Sequence, residues 1–298
     1  MTTLPNRRDV YFYSHGLKCH GWLYLPDSKK PAPVIVMGHG LGSVKTMRLP
    51  AYAERFCEAG YACLLFDYRH FGDSEGQPRQ LLDIQKQLED WQAAIDFVRD
   101  SEDVDGTRIV LWGTSFGGGH AIAAAAADKR VSGVISQCPF TDGWASSMAI
   151  NPISSMKIMP LAIADQIGAW LGAEPKYIAT SGKPLSRALM TAPDALSGYF
   201  SLMPKDNSVK NYVAARIALN IMRYYPGRDA AKLNCPAFFA VCSTDSVAPS
   251  KATLRHVRKA PQGEIHIYEE GHFDIYLGEA FEKVVTDQLK FLLRIMPV

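Results

Sequence analysis

The sequence predicts an α/β fold, a mostly parallel central sheet covered on both faces by helices, with a helical segment inserted before the last two strands. Three observations carry this. Short apolar runs such as Val34-Ile35-Val36-Met37, Ala62–Phe66 and Phe238–Cys242 end in glycine or polar residues, as strands buried on both faces do. Helical stretches alternate with those runs, the order expected of crossover connections. The alternation stops after Cys138-Pro139-Phe140 and resumes at Pro236.

The elements follow in order. Two extended segments, around Val10–Ser14 and Lys18–Leu25, precede a turn at Pro26-Asp27-Ser28. The first buried strand, Val34–Met37, runs into Gly38-His39-Gly40-Leu41-Gly42. A helix is expected over Met47–Ala59. The next strand, Ala62–Asp67, ends in a polar loop, Tyr68-Arg69-His70-Phe71-Gly72-Asp73-Ser74-Glu75-Gly76. Between Leu82 and Arg99, Ile84, Leu88, Trp91, Ile95 and Val98 stand at helical spacing. Strand Arg108–Trp112 leads into Gly113-Thr114-Ser115-Phe116-Gly117 and an alanine-rich helix through Ala127, followed by strand Val131–Ser136. From Thr141 to Leu233 no clear buried strand is visible, and helices are expected at Met159–Leu171 and Ser208–Tyr224. Strand Pro236–Cys242, helix Ser250–Arg258, strand Glu264–Tyr268 and helix Phe273–Ile295 close the chain. The expected division is a core of residues 1–140 and 234–298 with a lid of residues 141–233.

Composition narrows the class. The length of 298 residues suits one large α/β domain carrying an insertion. Lys+Arg 32 against Asp+Glu 30, with no basic run, speaks against a nucleic-acid partner. The cysteines, Cys19, Cys57, Cys63, Cys138, Cys235 and Cys242, form no CxxC pair and no metal-ligand spacing with histidine. They read as small core hydrophobes in a reducing compartment. The first residues lack a secretory apolar region, and no apolar run reaches the ~20 residues that span a bilayer. A soluble cytoplasmic protein with no membrane partner is therefore expected. No Walker A loop is present, and no G-x-G-x-x-G opens a helix, so neither cofactor nor metal is expected.

Chemistry concentrates at the strand ends. Gly113-Thr114-Ser115-Phe116-Gly117 fits G-x-S-x-G where a predicted strand stops and a helix begins, which would leave Ser115 exposed at a helix N-terminus that favours developing negative charge. A serine hydroxyl attacks only with a neutral imidazole to take its proton and a carboxylate to hold that imidazole. Asp245, just past Phe238–Cys242, and His272, just past Glu264–Tyr268, supply acid and base in the chain order Ser, Asp, His. Asp245 also suits a helix cap, and Asp142 is a rival acid. Backbone N–H groups of Leu41 and Phe116 are the candidate oxyanion donors. His39 suits ordering of its loop, and His70, in a loop on the same edge of the sheet, is a candidate substrate contact.

This set resembles the α/β-hydrolase superfamily: His39-Gly40-Leu41-Gly42, Asp67-Tyr68-Arg69, Gly113-Thr114-Ser115-Phe116-Gly117-Gly118, Asp245-Ser246-Val247-Ala248-Pro249 and Gly271-His272-Phe273. Within it the chain looks like the branch of fungal polyketide transferases and related bacterial hydrolases, akin to dienelactone hydrolases and acyl peptidases. The resemblance implies the α/β-hydrolase fold, a Ser115–Asp245–His272 triad, an oxyanion hole at Leu41 and Phe116, a helical lid, and ester hydrolysis or acyl transfer from carrier thioesters.

The lid carries six of the ten methionines, Met148, Met156, Met159, Met190, Met203 and Met222, among many aromatics. Either they pack the lid onto the body or they wall an adaptable apolar pocket, and part of that surface could equally mediate a homodimer. Trp144 and Met148 are the candidate pocket contacts. The expected activity is acyl chemistry through a Ser115 acyl-enzyme, on an ester or on a carrier-bound thioester of a bulky hydrophobic acyl group. A peptidase or carbon–carbon bond hydrolase on the same triad, and a non-catalytic binding protein on this fold, are the alternatives.

Overall fold

The structure, a computed structural model, describes residues 6–205 and 209–298. Its main sheet has eight strands in the order β1-β2-β4-β3-β5-β6-β10-β11. These are β1 Asn6–Ser14, β2 Leu17–Leu25, β3 Ala32–Gly38, β4 Ala62–Phe66, β5 Val104–Thr114, β6 Gly133–Gln137, β10 Ala237–Cys242 and β11 Gly263–Tyr268. Pairing is antiparallel at β1–β2 and β2–β4 and parallel across the rest. In β3, β4, β6 and β10 every residue is buried, so these strands show no alternation and read as continuous apolar runs.

Successive residues of β5 point to opposite faces. Trp112 meets Tyr52 of α1 (Leu49–Glu58) and bonds Gln288 of α9 (Gly278–Ile295). Gly113, on the other face, abuts Ala121 of α3 (Phe116–Ala127), which packs beside α2 (Ile84–Arg99). A buried polar chain crosses the α1/α9 face. The Trp112 indole donates to Gln288 (3.0 Å), Gln288 to Gln137 (2.9 Å), and Gln137 to the Tyr52 hydroxyl (2.9 Å). These named amide and indole groups are satisfied within the chain, so the network orders this layer without unpaired donors.

Between β6 and β10 the chain departs from expectation. It forms α4 (Gly143–Ala149) and α5 (Pro152–Trp170), then a second sheet of β7 (Tyr177–Ser181), β8 (Ala188–Met190) and β9 (Tyr212–Ala214) in the order β8-β7-β9. Strands of three to five residues are too short to print a period on the sequence. Helix α5 starts seven residues before Met159, because Asn151 caps it and Pro152 suits a first helical position. The helix expected over Ser208–Tyr224 begins at a residue outside the described ones. From Tyr212 onward that stretch is β9, a 3₁₀ turn at Ala215–Ile217 and the short α7 (Ala218–Ile221). Helix α6 (Ala195–Ser201) precedes it and α8 (Ser250–Val257) follows β10. Among the described residues, no helix is long and apolar enough to cross a membrane.

Candidate active site

Strand β5 ends at Thr114 and α3 begins at Phe116, leaving Ser115 as a one-residue turn with φ 55° and ψ −121°. That backbone is strained for a side-chain-bearing residue and persists only because its surroundings enforce it. Two glycines allow the turn. A Cβ on Gly113 would lie 2.1 Å from the Gly117 carbonyl oxygen, and one on Gly117 would lie 2.3 Å from that of His39.

The turn aims Ser115 at His272. Ser115 Oγ is 3.0 Å from His272 Nε2, and His272 Nδ1 is 2.8 Å from Asp245 Oδ2. The other carboxylate oxygen, Oδ1, accepts from the N–H groups of Val247 (2.9 Å) and Ala248 (2.6 Å). Asp245 thus caps its own turn and also orients the imidazole. The His272 and Asp245 side chains are each 2% exposed, so water screens their attraction little. Burial disfavours charge on His272, yet the adjacent Asp245 carboxylate outweighs it and raises the imidazole to about 9. Burial instead holds His39 and His70 down at about 4 and His120 at about 3. Among these four, His272 is the one poised to hold a proton taken from a serine.

The loop 39–42 lies against Ser115: a Cβ on Gly40 would be 3.0 Å from Ser115 Cβ. His39 donates from Nδ1 to the Gly40 carbonyl (3.2 Å), the loop-ordering contact expected of it. Gly42 takes φ +62°, and the inserted segment closes over it. The Tyr199 hydroxyl of α6 donates to the Gly42 carbonyl (3.1 Å), and a Cβ on Gly42 would lie 2.8 Å from Thr180 Oγ1 and 3.1 Å from Val213 Cγ1.

Leu41, Ser115 and Phe116 line a cavity of about 400 Å³. Met148, Met156, Met159, Met190 and Met222 form much of the remaining wall, and among the described residues no charged side chain lines it. Such a wall solvates a large apolar group and adapts to its shape. Ser246, next to the acid, also lines this cavity, and its hydroxyl donates to Asp194 at the start of α6 (2.9 Å). Ser246 was not singled out by sequence for the site, and Met190 and Tyr199 stood there only among the many methionines and aromatics of the inserted segment. Their positions depend on how the inserted segment folds back, and no local motif records that.

Three expectations are corrected. His70 lines no part of the cavity; it is buried with φ 70° and donates from Nδ1 to the Pro78 carbonyl (3.0 Å), fixing the loop after β4. Trp144 is 54% exposed and outside the wall, while Met148, one turn further along α4, reaches the rim. Asp142, the rival acid, caps α4 and pairs with His256 (3.3 Å), apart from His272. Two clusters among the described residues carry three metal-ligating groups, Cys138 with Asp245 and His272, and His20 with Asp67 and Asp73. In the first, Asp245 and His272 already bond each other. In the second, the Lys45 ammonium already sits 2.6 Å from both carboxylates.

Comparison with known proteins agrees with the fold. The family model described as serine aminopeptidase, S33, matches residues 29–279. The quorum-quenching protein AidA of Acinetobacter baumannii is 58% identical over 97% of this chain and 95% of its own length. The polyketide transferase grgF of a Penicillium species is 32% identical over 99% of this chain and 98% of its own. The crystal structure of GrgF superposes with a TM-score of 0.81 at 29% identity, covering 98% of this chain and 100% of that one. The thiohydrolase aneE of Aspergillus aculeatus is 31% identical over 93% of this chain and 89% of its own. This chain therefore belongs to the serine aminopeptidase S33 family of α/β-hydrolase enzymes.

Proposed function

We propose that the protein cleaves an ester or thioester of a bulky hydrophobic acyl group through a Ser115 acyl-enzyme. One observation carries the reading: the Ser115–His272–Asp245 relay opens into an uncharged, methionine-walled cavity. In the first step His272 Nε2 takes the hydroxyl proton as Ser115 Oγ bonds to the acyl carbon. The N–H groups of Leu41 and Phe116 receive the oxyanion. His272 then returns the proton to the leaving alcohol or thiol. In the second step water, or a bound alcohol, loses a proton to His272 and attacks the acyl-enzyme, releasing an acid or a new ester.

The names of the relatives, a thiohydrolase, a polyketide transferase and a quorum-quenching protein, fit acyl substrates of this kind. Aminopeptidase action is disfavoured by the wall itself, because a substrate's terminal ammonium needs a carboxylate partner and, among the described residues, none lines the cavity.

Labelling with a fluorophosphonate, read by intact and peptide mass, tests the reading together with hydrolysis of p-nitrophenyl esters. A single adduct on Ser115 is expected. Ser115→Ala loses the adduct and about 10⁴-fold or more in kcat. An unlabelled, ester-inactive but folded protein, also inert to a small sulfonyl fluoride, overturns it.

A further inference from the structure

Ser115 stands where two cavities meet, and they differ in size and in wall. The large one, about 400 Å³, is the methionine-walled space beside Phe116. The small one, about 30 Å³, lies beside Leu41 and Ser115 and is walled by Met47, Leu202, Phe273 and Tyr276. Among the described residues, His272 lines the small cavity and not the large one, whereas Phe116 lines the large one and not the small one.

Proton chemistry tells the two apart. The leaving oxygen must take a proton from His272 Nε2, and the attacking oxygen must give one back to it. Both oxygens therefore stand on the imidazole's side of the acyl carbon, and that side is the small cavity. The acyl chain, the other substituent of that carbon, takes the large one.

The walls set how far each space yields. Methionine chains are unbranched and adapt to their contents. The small cavity is stiffer. The Phe273 ring rests on α6 so closely that a Cβ on Gly198 would lie 2.4 Å from its Cγ. The Tyr276 hydroxyl is hydrogen-bonded to Thr114 and lies 3.4 Å from Cys138 Sγ. Both rings are buried, as are Met47 and Leu202. A water needs roughly 10–15 Å³ of such space, so about 30 Å³ admits a water, or an alcohol of about one or two carbons.

We infer that the small cavity is the leaving-group and acceptor side of the site, and that it confines the enzyme to hydrolysing esters of short alcohols, with water as acceptor. Ser115 Oγ bonds to the acyl carbon as the bond from that carbon to the alcohol oxygen breaks, and the alcohol leaves with the serine proton carried by His272. The oxygen of a water then bonds to the acyl carbon, one of its protons passes through His272 to Ser115, and the acid departs. A bulky alcohol neither leaves nor attacks on that side. The inference rests on the proposed acyl-enzyme and narrows its substrate to a large acyl part joined to a small alcohol part.

Methyl, ethyl, butyl and benzyl octanoate share one acyl group and have alcohols of similar basicity, so their rates read the cavity. Nitrophenolate leaves without a proton from His272, so activated esters do not read it. With octanoate release followed by pH-stat, kcat/KM is expected to be at least about tenfold lower for the butyl and benzyl esters than for the methyl ester. Benzyl alcohol added to methyl octanoate is expected to yield octanoic acid and no benzyl octanoate. Leu202→Ala widens the cavity and is expected to raise the butyl-to-methyl ratio at least about fivefold. Met47→Ala reads the same wall should Leu202→Ala fail to fold. Fluorophosphonate labelling of Ser115 in the same preparation reports the acyl-enzyme separately. A labelled protein that cleaves butyl and benzyl esters as fast as the methyl ester, that forms benzyl octanoate, or that leaves methyl octanoate intact overturns this inference alone. So does a butyl-to-methyl ratio unmoved in a folded widened variant. An unlabelled, inactive protein overturns the acyl-enzyme, and this inference with it.

Discussion

Asp245 gives one carboxylate oxygen to His272 and the other to the N–H groups of Val247 and Ala248. Asp245→Asn preserves the second contact and reverses the first, because an amide NH₂ facing Nδ1 forces the proton onto Nε2. That tautomer cannot accept from Ser115. A loss of about 10⁴-fold in kcat is expected from the tautomer alone, measured on a soluble ester. The pH profile gives the electrostatic part. On the proposed mechanism His272 works only when neutral, and against the cost of burial Asp245, with Cys138 beside it, raises its pKa to about 9, so kcat/KM of the wild-type protein is expected to climb with pH toward that value. In Asp245→Asn the acid limb moves to lower pH, toward the ordinary imidazole value. A wild-type limb below 6.5 would contradict this account of His272. At this scale the members of the candidate relay could be placed from the sequence, because each follows the end of a strand of the main sheet. His70 sits in an equally polar loop at the same edge, and whether such a side chain faces a cavity or its own loop is decided by packing that the motif does not contain.

Among elements, the inserted segment supports the loop that faces the nucleophile. Helix α6 supplies Tyr199, β7 supplies Thr180 and β9 supplies Val213, and all three converge on Gly42. Tyr199→Phe removes the hydroxyl bond to the Gly42 carbonyl and keeps the ring. The loss of one neutral hydrogen bond, about 1 kcal/mol, lets the Leu41–Gly42 peptide wander. Steady-state kinetics are expected to show kcat lowered roughly five- to tenfold with KM nearly unchanged, because the oxyanion forms only in the transition state. A rise in KM with kcat intact would instead make Tyr199 a wall of the substrate pocket. The long buried strands and α2, α3 and α9 could be placed from apolar runs and helical spacing. The small sheet could not, since β8 and β9 have three residues each and their partners are set by a fold-back over the core.

For the whole molecule, buried histidines couple folding to acid. His39, His70 and His120 are held neutral by burial at about 4, 4 and 3, against an unfolded value near 6.5. Between those limits these three groups bind more protons in the unfolded chain than in the folded one, so the stability they carry is full above pH 6.5 and falls as pH drops toward 3, while the contribution of His272, raised to about 9, is full below pH 6.5 and is lost as pH rises through 9. Asp90, raised to about 6 by burial, opposes this between pH 6 and 4, one group against three. Thermal melts are expected to show Tm falling steadily below pH 6.5, and His120→Gln to flatten that slope. A Tm that stays level to pH 4 would contradict it. Composition alone showed that a core of this size could form, but not which histidines it would enclose. That depended on contacts such as His120 with Tyr224 (2.7 Å) and Gln87 (2.9 Å), far apart in the chain.

The bond from Gln288 to Gln137 and Trp112 has a consequence for how the protein is made. Ribosomal synthesis proceeds from the N-terminus, and domains condense as their parts emerge. Ser115, its elbow and strands β1 to β6 leave the exit tunnel long before Asp245, His272 and α9. Until the last helix arrives, the side-chain carbonyl of Gln137 and the indole of Trp112 lack their Gln288 partner. The nascent chain therefore holds Ser115 without Asp245 and His272, and the candidate relay is completed only as the final segment docks.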